Sequence, residues 1–147
     1  MPRPVRNRKI CNPPKMNGFK PFGMPLYKTK SVKLQIDEFE SFKLVEYENM
    51  PQDQASLKMD ISRPTLTRIY NSALKKIAKA FVEGLVIEIE GGNIEFDKEW
   101  FKCSKCFKLI DGLENHIKCK NCTAYGTSEL VYINLSKIKK DLITNES

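Results

Sequence analysis

Apolar and polar residues alternate with a spacing that changes several times along the chain, and each change predicts a different element. Residues 1–35 have no sustained period, because prolines recur there and remove backbone donors. We expect the first ten residues to be mobile and the segment from about Phe19 to dock on the folded domain. Residues 32–36 alternate between apolar and polar, which predicts a short strand.

Helical spacing replaces this pattern in the middle of the chain. Asp37 is a good N-cap, and Pro51 ends the first helical run. Ser62 caps the last run, Pro64 falls in its first turn, and Gly84 supplies a C-cap. The predicted helices cover residues 38–48, 52–59 and 62–83.

Short alternating runs return beyond the helices. The stretch LVIEIEGGNIEF predicts two strands joined as a β-hairpin around Gly91 and Gly92. Residues 130–135 alternate again and predict a further strand. Residues 136–147 are polar and predict no more than a terminal helical turn.

The second and third predicted helices have the spacing of a helix-turn-helix unit. Such a unit needs a small residue where its helices cross, and Ser56 occupies that position. Its turn needs a residue that tolerates the left-handed conformation, which Asp60 does. Apolar residues for the inner face follow in the expected register: Ile61, Leu66, Ile69, Ala73 and Ile77.

The outer face of the third predicted helix is polar and basic. Residues 63–81 contain five basic residues and no acidic one. Arginine can donate a bidentate pair to guanine and asparagine can do so to adenine, so this face is typical of DNA recognition. The candidate contacts on this helix are Arg63, Thr65, Thr67, Arg68, Asn71, Ser72 and Lys75. A plain three-helix domain with a solvated basic face is the alternative.

The net charge of +7 is unevenly distributed along the chain. Residues 1–36 carry nine basic residues and no acid, whereas the remainder has a net charge of −2. A cationic arm of this kind can enter a DNA groove beside a recognition helix, although a solvated tail is the alternative. The arm's candidate DNA contacts are Arg3, Arg6, Arg8 and Lys9. The acidic first helix is expected to present its carboxylates to water.

Several of these stretches together resemble one prokaryotic family. They are MPRP at the N-terminus, FKPFGMP, DEFES, SRPTLTRIYNSALKKIA and EGGN. They are similar to domain-of-unknown-function family number 134, described as small predicted DNA-binding proteins. The resemblance covers about residues 1–95 and implies a sigma-factor-like helix-turn-helix fold and DNA binding, with no known target. Asp60 departs from the glycine usual in the family's turn.

Four cysteines form two CxxC pairs near the C-terminus. Twelve residues separate the pairs, and two such knuckles can close a tetrahedral metal site. The candidate ligands are Cys103, Cys106, Cys119 and Cys122. One structural zinc ion is the preferred interpretation, while iron or metal-free thiols stay open. His116 is expected on the surface and Cys11 as a lone thiol.

Other function classes lack a sequence signal. No apolar run is long enough to span a bilayer and no signal peptide is visible, so we expect a cytoplasmic protein without membrane contact. A single histidine, no phosphate-binding loop and no dinucleotide-binding turn give no support for an enzyme.

The chain is therefore predicted to be α+β: a three-helix, sigma-factor-like helix-turn-helix domain with a short β-hairpin, then a small zinc-ribbon-like module. The boundaries are 1–36 for the basic arm, 37–96 for the helix-turn-helix domain, 97–135 for the module and 136–147 for a polar tail. These features favour a transcriptional regulator that binds double-stranded DNA through its third helix and arm. A homodimer is expected, because one recognition helix gives little specificity, and the module could bind a protein partner.

Two alternative functions stay open. The first is a metal- or redox-sensing regulator that uses the CxxC pairs. The second is an adaptor of the transcription machinery that has no DNA contact of its own.

Overall fold

The chain contains both helices and strands, arranged as an α+β fold. The computed structural model describes residues 7–96, 98–103, 108–111 and 130–132. The chain divides into two compact units, residues 1–95 and 96–147. In the described part of the chain, no helix is long and apolar enough to cross a membrane.

The first unit is built from three α-helices and five short strands. In chain order these are β1 (Arg8–Ile10), β2 (Gly18–Phe19), a 3-10 turn (Leu26–Lys28), β3 (Ser31–Leu34), α1 (Ile36–Phe42), a π-helical segment (Lys43–Tyr47), α2 (Gln52–Lys58), α3 (Arg63–Glu83), β4 (Val86–Ile89) and β5 (Ile94–Phe96). The three predicted helices are confirmed, and the bounds of α2 and α3 differ from the prediction by at most one residue. The prediction was less accurate for α1, because its N-cap is Gln35 rather than Asp37 and the helix gives way to the π-helical segment after Phe42.

Local signals in the sequence set the ends of α3. The Ser62 hydroxyl accepts a hydrogen bond from the Thr65 backbone amide at 3.4 Å, and a proline follows in the first turn. Gly84 ends the helix in the left-handed conformation, with φ of 68°. Asp60 also lies in that region, at φ 56°, as predicted for the turn before α3.

The predicted hairpin between β4 and β5 is wrong. β4 pairs instead with β2 in antiparallel and with β3 in parallel orientation, whereas β5 pairs with β1. The glycine turn between them is held by other partners: the Gly91 carbonyl accepts from the Ile36 amide at 3.0 Å. The Glu90 amide donates to the Leu34 carbonyl at 3.1 Å. With these partners the turn directs the chain away from β4.

Part of the basic arm belongs to the folded unit, contrary to the mobility expected for the first ten residues. Ile10 in β1 is fully buried. The Arg8 amide donates to the Asn93 carbonyl at 2.8 Å, and the Lys9 amide donates to the Met59 carbonyl at 3.0 Å. A buried isoleucine and two backbone hydrogen bonds outweigh the irregular composition around them.

The core of the first unit lies between α3, α1 and the β2–β4–β3 sheet. Leu34, Ala73 and Ile89 form its buried centre, and half-buried apolar residues of α1 pack against it. On α3, Leu66, Ile69 and Ala73 are buried, which confirms most of the predicted inner face.

The described part of the second unit is a three-stranded antiparallel sheet. Its strands are β6 (Trp100–Cys103), β7 (Leu109–Asp111) and β8 (Leu130–Tyr132), with β6 in the centre. Phe101 and Ile110 are buried partners across β6 and β7. The strand predicted over residues 130–135 is present at its start.

Candidate nucleic-acid interface

The start of α3 is fixed by contacts with α2 and with the turn between them. The Thr67 hydroxyl donates to the Gln52 side-chain oxygen at 2.6 Å, which joins the first turns of the two helices. The Ile61 amide donates to the Ser56 carbonyl at 3.0 Å and closes the turn. Because Ser56 and Ala55 are buried, the two helices approach closely at small residues.

A shallow groove runs along the outer face of α3. Its volume is about 800 Å³, and it gathers all the predicted contacts of this helix except Thr65. The lining residues are Arg63, Pro64, Thr67, Arg68, Asn71, Ser72, Lys75 and Lys76. Thr65 is half-buried instead, and its hydroxyl shares a 2.7 Å hydrogen bond with the Ser62 hydroxyl.

Three cations of this groove are exposed and have no acidic partner in the described structure. Arg63, Arg68 and Lys75 take part in none of the ion pairs found within 4.0 Å among the described residues. Asn71 is exposed between them. The groove therefore presents uncompensated positive charge together with an amide that can donate and accept.

Two other groove residues are tied to α1. The buried Glu38 carboxylate, 4 % exposed, accepts from the Ser72 hydroxyl at 2.8 Å and from the Lys76 ammonium at 2.6 Å. This contact joins α1 to the middle of α3. Ser72 and Lys76 are consequently less available to an external ligand than Arg68 or Lys75.

The acids of α1 do not form a solvated face, contrary to the expectation from sequence, whereas Glu46 and Glu48 beyond it are exposed as expected. Asp37, Glu38 and Glu40 are at most 4 % exposed, and each has a cation beside it. Burial raises the pKa of Asp37 and of Glu40, while Arg8 and Lys43 act in the opposite direction. The charges of this helix are therefore used inside the fold.

A further acid of the helix–helix contact is Glu46, in the π-helical segment. Its carboxylate accepts a hydrogen bond from the Tyr70 hydroxyl of α3. This hydrogen bond raises the pKa of Tyr70, since ionisation would place two negative charges side by side. Tyr70 itself is 8 % exposed, so it packs against the core as well.

The arm residues proposed as DNA contacts have different positions. Arg8 lies 3.6 Å from the Asp37 carboxylate, and its side chain is 14 % exposed, so it mainly stabilises the fold. Lys9 is exposed. Arg3 and Arg6 lie outside the described residues.

One of the four candidate metal ligands can be placed. Cys103 is buried at the end of β6, and its amide donates to the Lys108 carbonyl at 3.1 Å. The first CxxC pair thus begins at the last residue of β6. Cys106, Cys119 and Cys122 lie outside the described residues, and the residues that are described contain no cluster of three metal-ligating side chains.

Sequence reasoning missed the inward role of Glu38 and of Lys76. The available signal was spacing: Ser72 and Lys76 are four residues apart on one helical face, and α1 begins with acids. Gln52 was also missed, because its hydrogen bond to Thr67 depends on how α2 packs against α3.

Comparison with known proteins places the chain among uncharacterised bacterial sequences. The family model described as "Protein of unknown function DUF134" matches residues 1–97. A UPF0251 protein of Chloroherpeton thalassium is 40 % identical over 132 residues, covering 88 % of this chain and 87 % of its own. A UPF0251 protein of Desulforudis audaxviator is 34 % identical over 131 residues, covering 89 % and 86 % respectively. No solved structure matches the chain.

Proposed function

The chain belongs to the DUF134 family of proteins of unknown function, and we propose that it binds double-stranded DNA through a helix-turn-helix formed by α2 and α3. We further propose that it acts as a transcriptional regulator. The observation that carries the proposal is the groove on α3, where Arg63, Arg68 and Lys75 are exposed and lack acidic partners in the described structure. Such a surface is suited to phosphates and base edges.

The groove residues divide into different roles. Arg68 and Asn71 have side chains able to make bidentate contacts with guanine and adenine, and both are exposed. Arg63 lies in the first turn, which usually enters the major groove deepest. Lys75 lies further along and is assigned to a phosphate.

Three hydroxyl side chains have roles closer to the fold. Thr67 and Ser72 already hydrogen-bond to α2 and α1, so their main role in the proposal is to orient α3. Thr65 shares its hydroxyl with the cap, which holds the first turn of α3.

The basic arm is proposed to contact DNA next to α3. The Lys9 amide is bonded to Met59, in the turn that leads into the recognition helix, so the arm begins beside that helix. Arg3 and Arg6 are proposed to meet an adjacent groove, with Lys9 on a phosphate.

A structural zinc ion is proposed for the four cysteines. The buried Cys103, whose amide donates to the Lys108 carbonyl, is compatible with a metal-bound thiolate. Cys106, Cys119 and Cys122 would complete a tetrahedral site, and the metal would stabilise a unit with a small core. Elemental analysis of the purified chain tests this proposal: one zinc per chain is expected, whereas iron would assign the site to that metal instead.

The DNA proposal is tested by binding to a random duplex over a series of salt concentrations. Release of counterions from phosphates must give a negative slope of log affinity against log salt, and a flat response would overturn the proposal. On a selected site, Arg68→Ala should cost about 1–3 kcal/mol and relax the preference at one base pair. Light scattering of the complex tests the proposed homodimer, which predicts two chains per palindromic site.

A further inference from the structure

The core of the first unit is open on one side. An apolar cleft of about 510 Å³ extends from the surface to the buried side chains of Leu34 and Ile89. Half-buried Phe39, Phe42 and Ile77 form its walls, and no acidic side chain lines it. Protein cores are normally closed and exclude water. A core that is open along a row of aromatic side chains is therefore typical of a surface that binds a partner.

Exposed aromatic residues extend the apolar surface beyond the cleft. Phe81, at the C-terminal end of α3, is 88 % exposed, and Phe19 on the facing edge is 56 % exposed. Between β2 and β3 the chain forms a strap, residues 20–30, in which Phe22 is 100 % and Tyr27 84 % exposed. Phe19 and Phe81 line the cleft, so its apolar surface continues from the open core onto exposed aromatic rings.

The strap lies along the edge of this cleft, which we call the strap cleft. Phe19 pairs with Ile87 of β4, and the Lys30 carbonyl accepts from the Val86 amide at 3.0 Å. The Met24 sulfur lies against Gly84, where an added Cβ atom would come within 2.7 Å of it. Both ends and the middle of the strap are therefore fixed beside the cleft.

The charge of the strap indicates which kind of partner fits. Lys20 lines the cleft, and Lys28 and Lys30 follow on the strap, while residues 1–36 contain no acid. These lysines take part in none of the ion pairs among the described residues. A second copy would bring the same lysines together in an isologous contact, which opposes self-association.

We propose that the strap cleft docks an acidic amphipathic helix of a partner protein. The apolar face of such a helix would cover Phe81, Phe19 and the open core, and its carboxylates would meet Lys20, Lys28 and Lys30. The strap cleft and the α3 groove share no lining residue, so this inference is independent of DNA binding. The two surfaces together would let one chain join DNA to an acidic partner.

The test uses the full chain and a fluorescent peptide of about 18 residues, long enough to form a helix. Leucines at positions i, i+3, i+4 and i+7 give it an apolar face, and glutamates occupy the other face. We expect saturable binding by fluorescence anisotropy. Phe81→Ser should weaken it about tenfold, because an exposed aromatic anchor is lost. Lys20→Glu should weaken it several-fold, with a larger effect at low salt.

Matched controls separate this surface from the DNA groove and from general charge. Leu57→Ser removes another exposed apolar side chain, 79 % accessible, and should leave peptide binding unchanged. Lys75→Glu should weaken DNA binding but not peptide binding, whereas Phe81→Ser should do the reverse. A scrambled peptide of the same composition should bind weakly.

Three results would overturn the inference. Equal binding of the scrambled peptide would show that charge alone, and not an apolar helical face, accounts for the binding. Binding of phosphatidylglycerol vesicles but not of the peptide would assign the surface to anionic lipid. A dimer that Phe81→Ser dissociates, without peptide binding, would assign the strap cleft to a second copy.

Discussion

The acidic residues of α1 and the basic residues of α3 are both runs of charge on helices, yet the fold uses them in opposite ways. Asp37, Glu38 and Glu40 are buried, and each lies beside a cation. Arg63, Arg68 and Lys75 are exposed and unpaired within the described structure. Only the second set carries charge that the fold itself does not compensate.

This difference separates charges that are engaged within the fold from charges that are available to a ligand. A buried carboxylate loses hydration and needs a partner within the protein, so its cation is committed to the fold. An exposed cation without a partner keeps its full attraction for an external anion. Lys76 illustrates the distinction, because it lies in the same groove as Lys75 but pairs with Glu38.

The largest loss of stability is expected on removal of Glu38, the acceptor in α1 that Ser72 and Lys76 share. Glu38→Ala leaves Lys76 partly buried without its counter-charge and Ser72 without an acceptor, so the free energy of unfolding should fall by about 3 kcal/mol. Urea unfolding followed by helical circular dichroism measures it. Lys75→Ala is the control and should change stability by less than about 0.5 kcal/mol. Equal losses in both variants would show that the buried pairing contributes nothing.

The next effect contrasts two neighbouring lysines in DNA binding. Lys75→Ala should reduce the slope of log affinity against log salt by about 1, because one phosphate contact is lost. Lys76→Ala should change the slope by less than half of that, since Glu38 already offsets its charge. Binding isotherms on one duplex at several salt concentrations provide both slopes. The same slope in both variants would contradict the division between paired and unpaired cations.

A smaller loss of stability is expected at Glu46, which is exposed but accepts a hydrogen bond from α3. Tyr70→Phe removes the hydroxyl that donates to Glu46 and should cost about 1 kcal/mol of stability. Tyr47→Phe, at a tyrosine that is 81 % exposed in the same segment as Glu46, is the matched control and should be nearly neutral. Thermal unfolding compares the two, and DNA affinity should remain unchanged in both.

The smallest effect concerns pH. Because burial raises the pKa of Glu40 above its ordinary value of 4.5, the folded state holds this proton more tightly than the unfolded state does. Its contribution to stability is fully present below the unfolded pKa and declines as pH rises through the folded pKa. Relative to Glu40→Gln, the natural chain should therefore lose stability as the pH rises above about 4.5.

Unfolding free energies measured at increasing pH test this difference. The control is Glu83→Gln, at an exposed acid that takes part in none of the ion pairs among the described residues. The opposite trend, an advantage of the natural chain that grows with pH, would mean that Lys43 outweighs the cost of burying Glu40.

Local signals predicted α3 well. Its cap, its first-turn proline, its C-terminal glycine and the left-handed Asp60 all act within a few residues, so spacing alone identifies them. The predicted hairpin failed for the opposite reason. Gly91 and Gly92 do form a turn, but its hydrogen bonds to Ile36 and Leu34 depend on residues more than 50 positions away.

The sequence predicted which residues line the candidate site, but not which of them are already bonded to other parts of the fold. Spacing placed Arg63, Arg68, Asn71 and Lys75 on one face, and the structure brings them together in one groove. Other side chains of the groove, such as Thr67 and Ser72, are bonded to α2 or α1. The helical period of α3 alone does not reveal these contacts. The same limit applies to Arg8, whose partner Asp37 is distant in sequence.

The sequence by itself determined the three helices, the ends of α3 and the distribution of basic residues, because capping, proline geometry and helical period are local properties. Tertiary structure alone decided which charges face inward, which strands pair and where the core stays open. These outcomes depend on desolvation and on contacts between distant residues, whose free energies exist only once the helices and strands have packed. The strap cleft is the clearest case, since its four aromatic lining residues come from three separate segments of the chain, β2, α1 and α3.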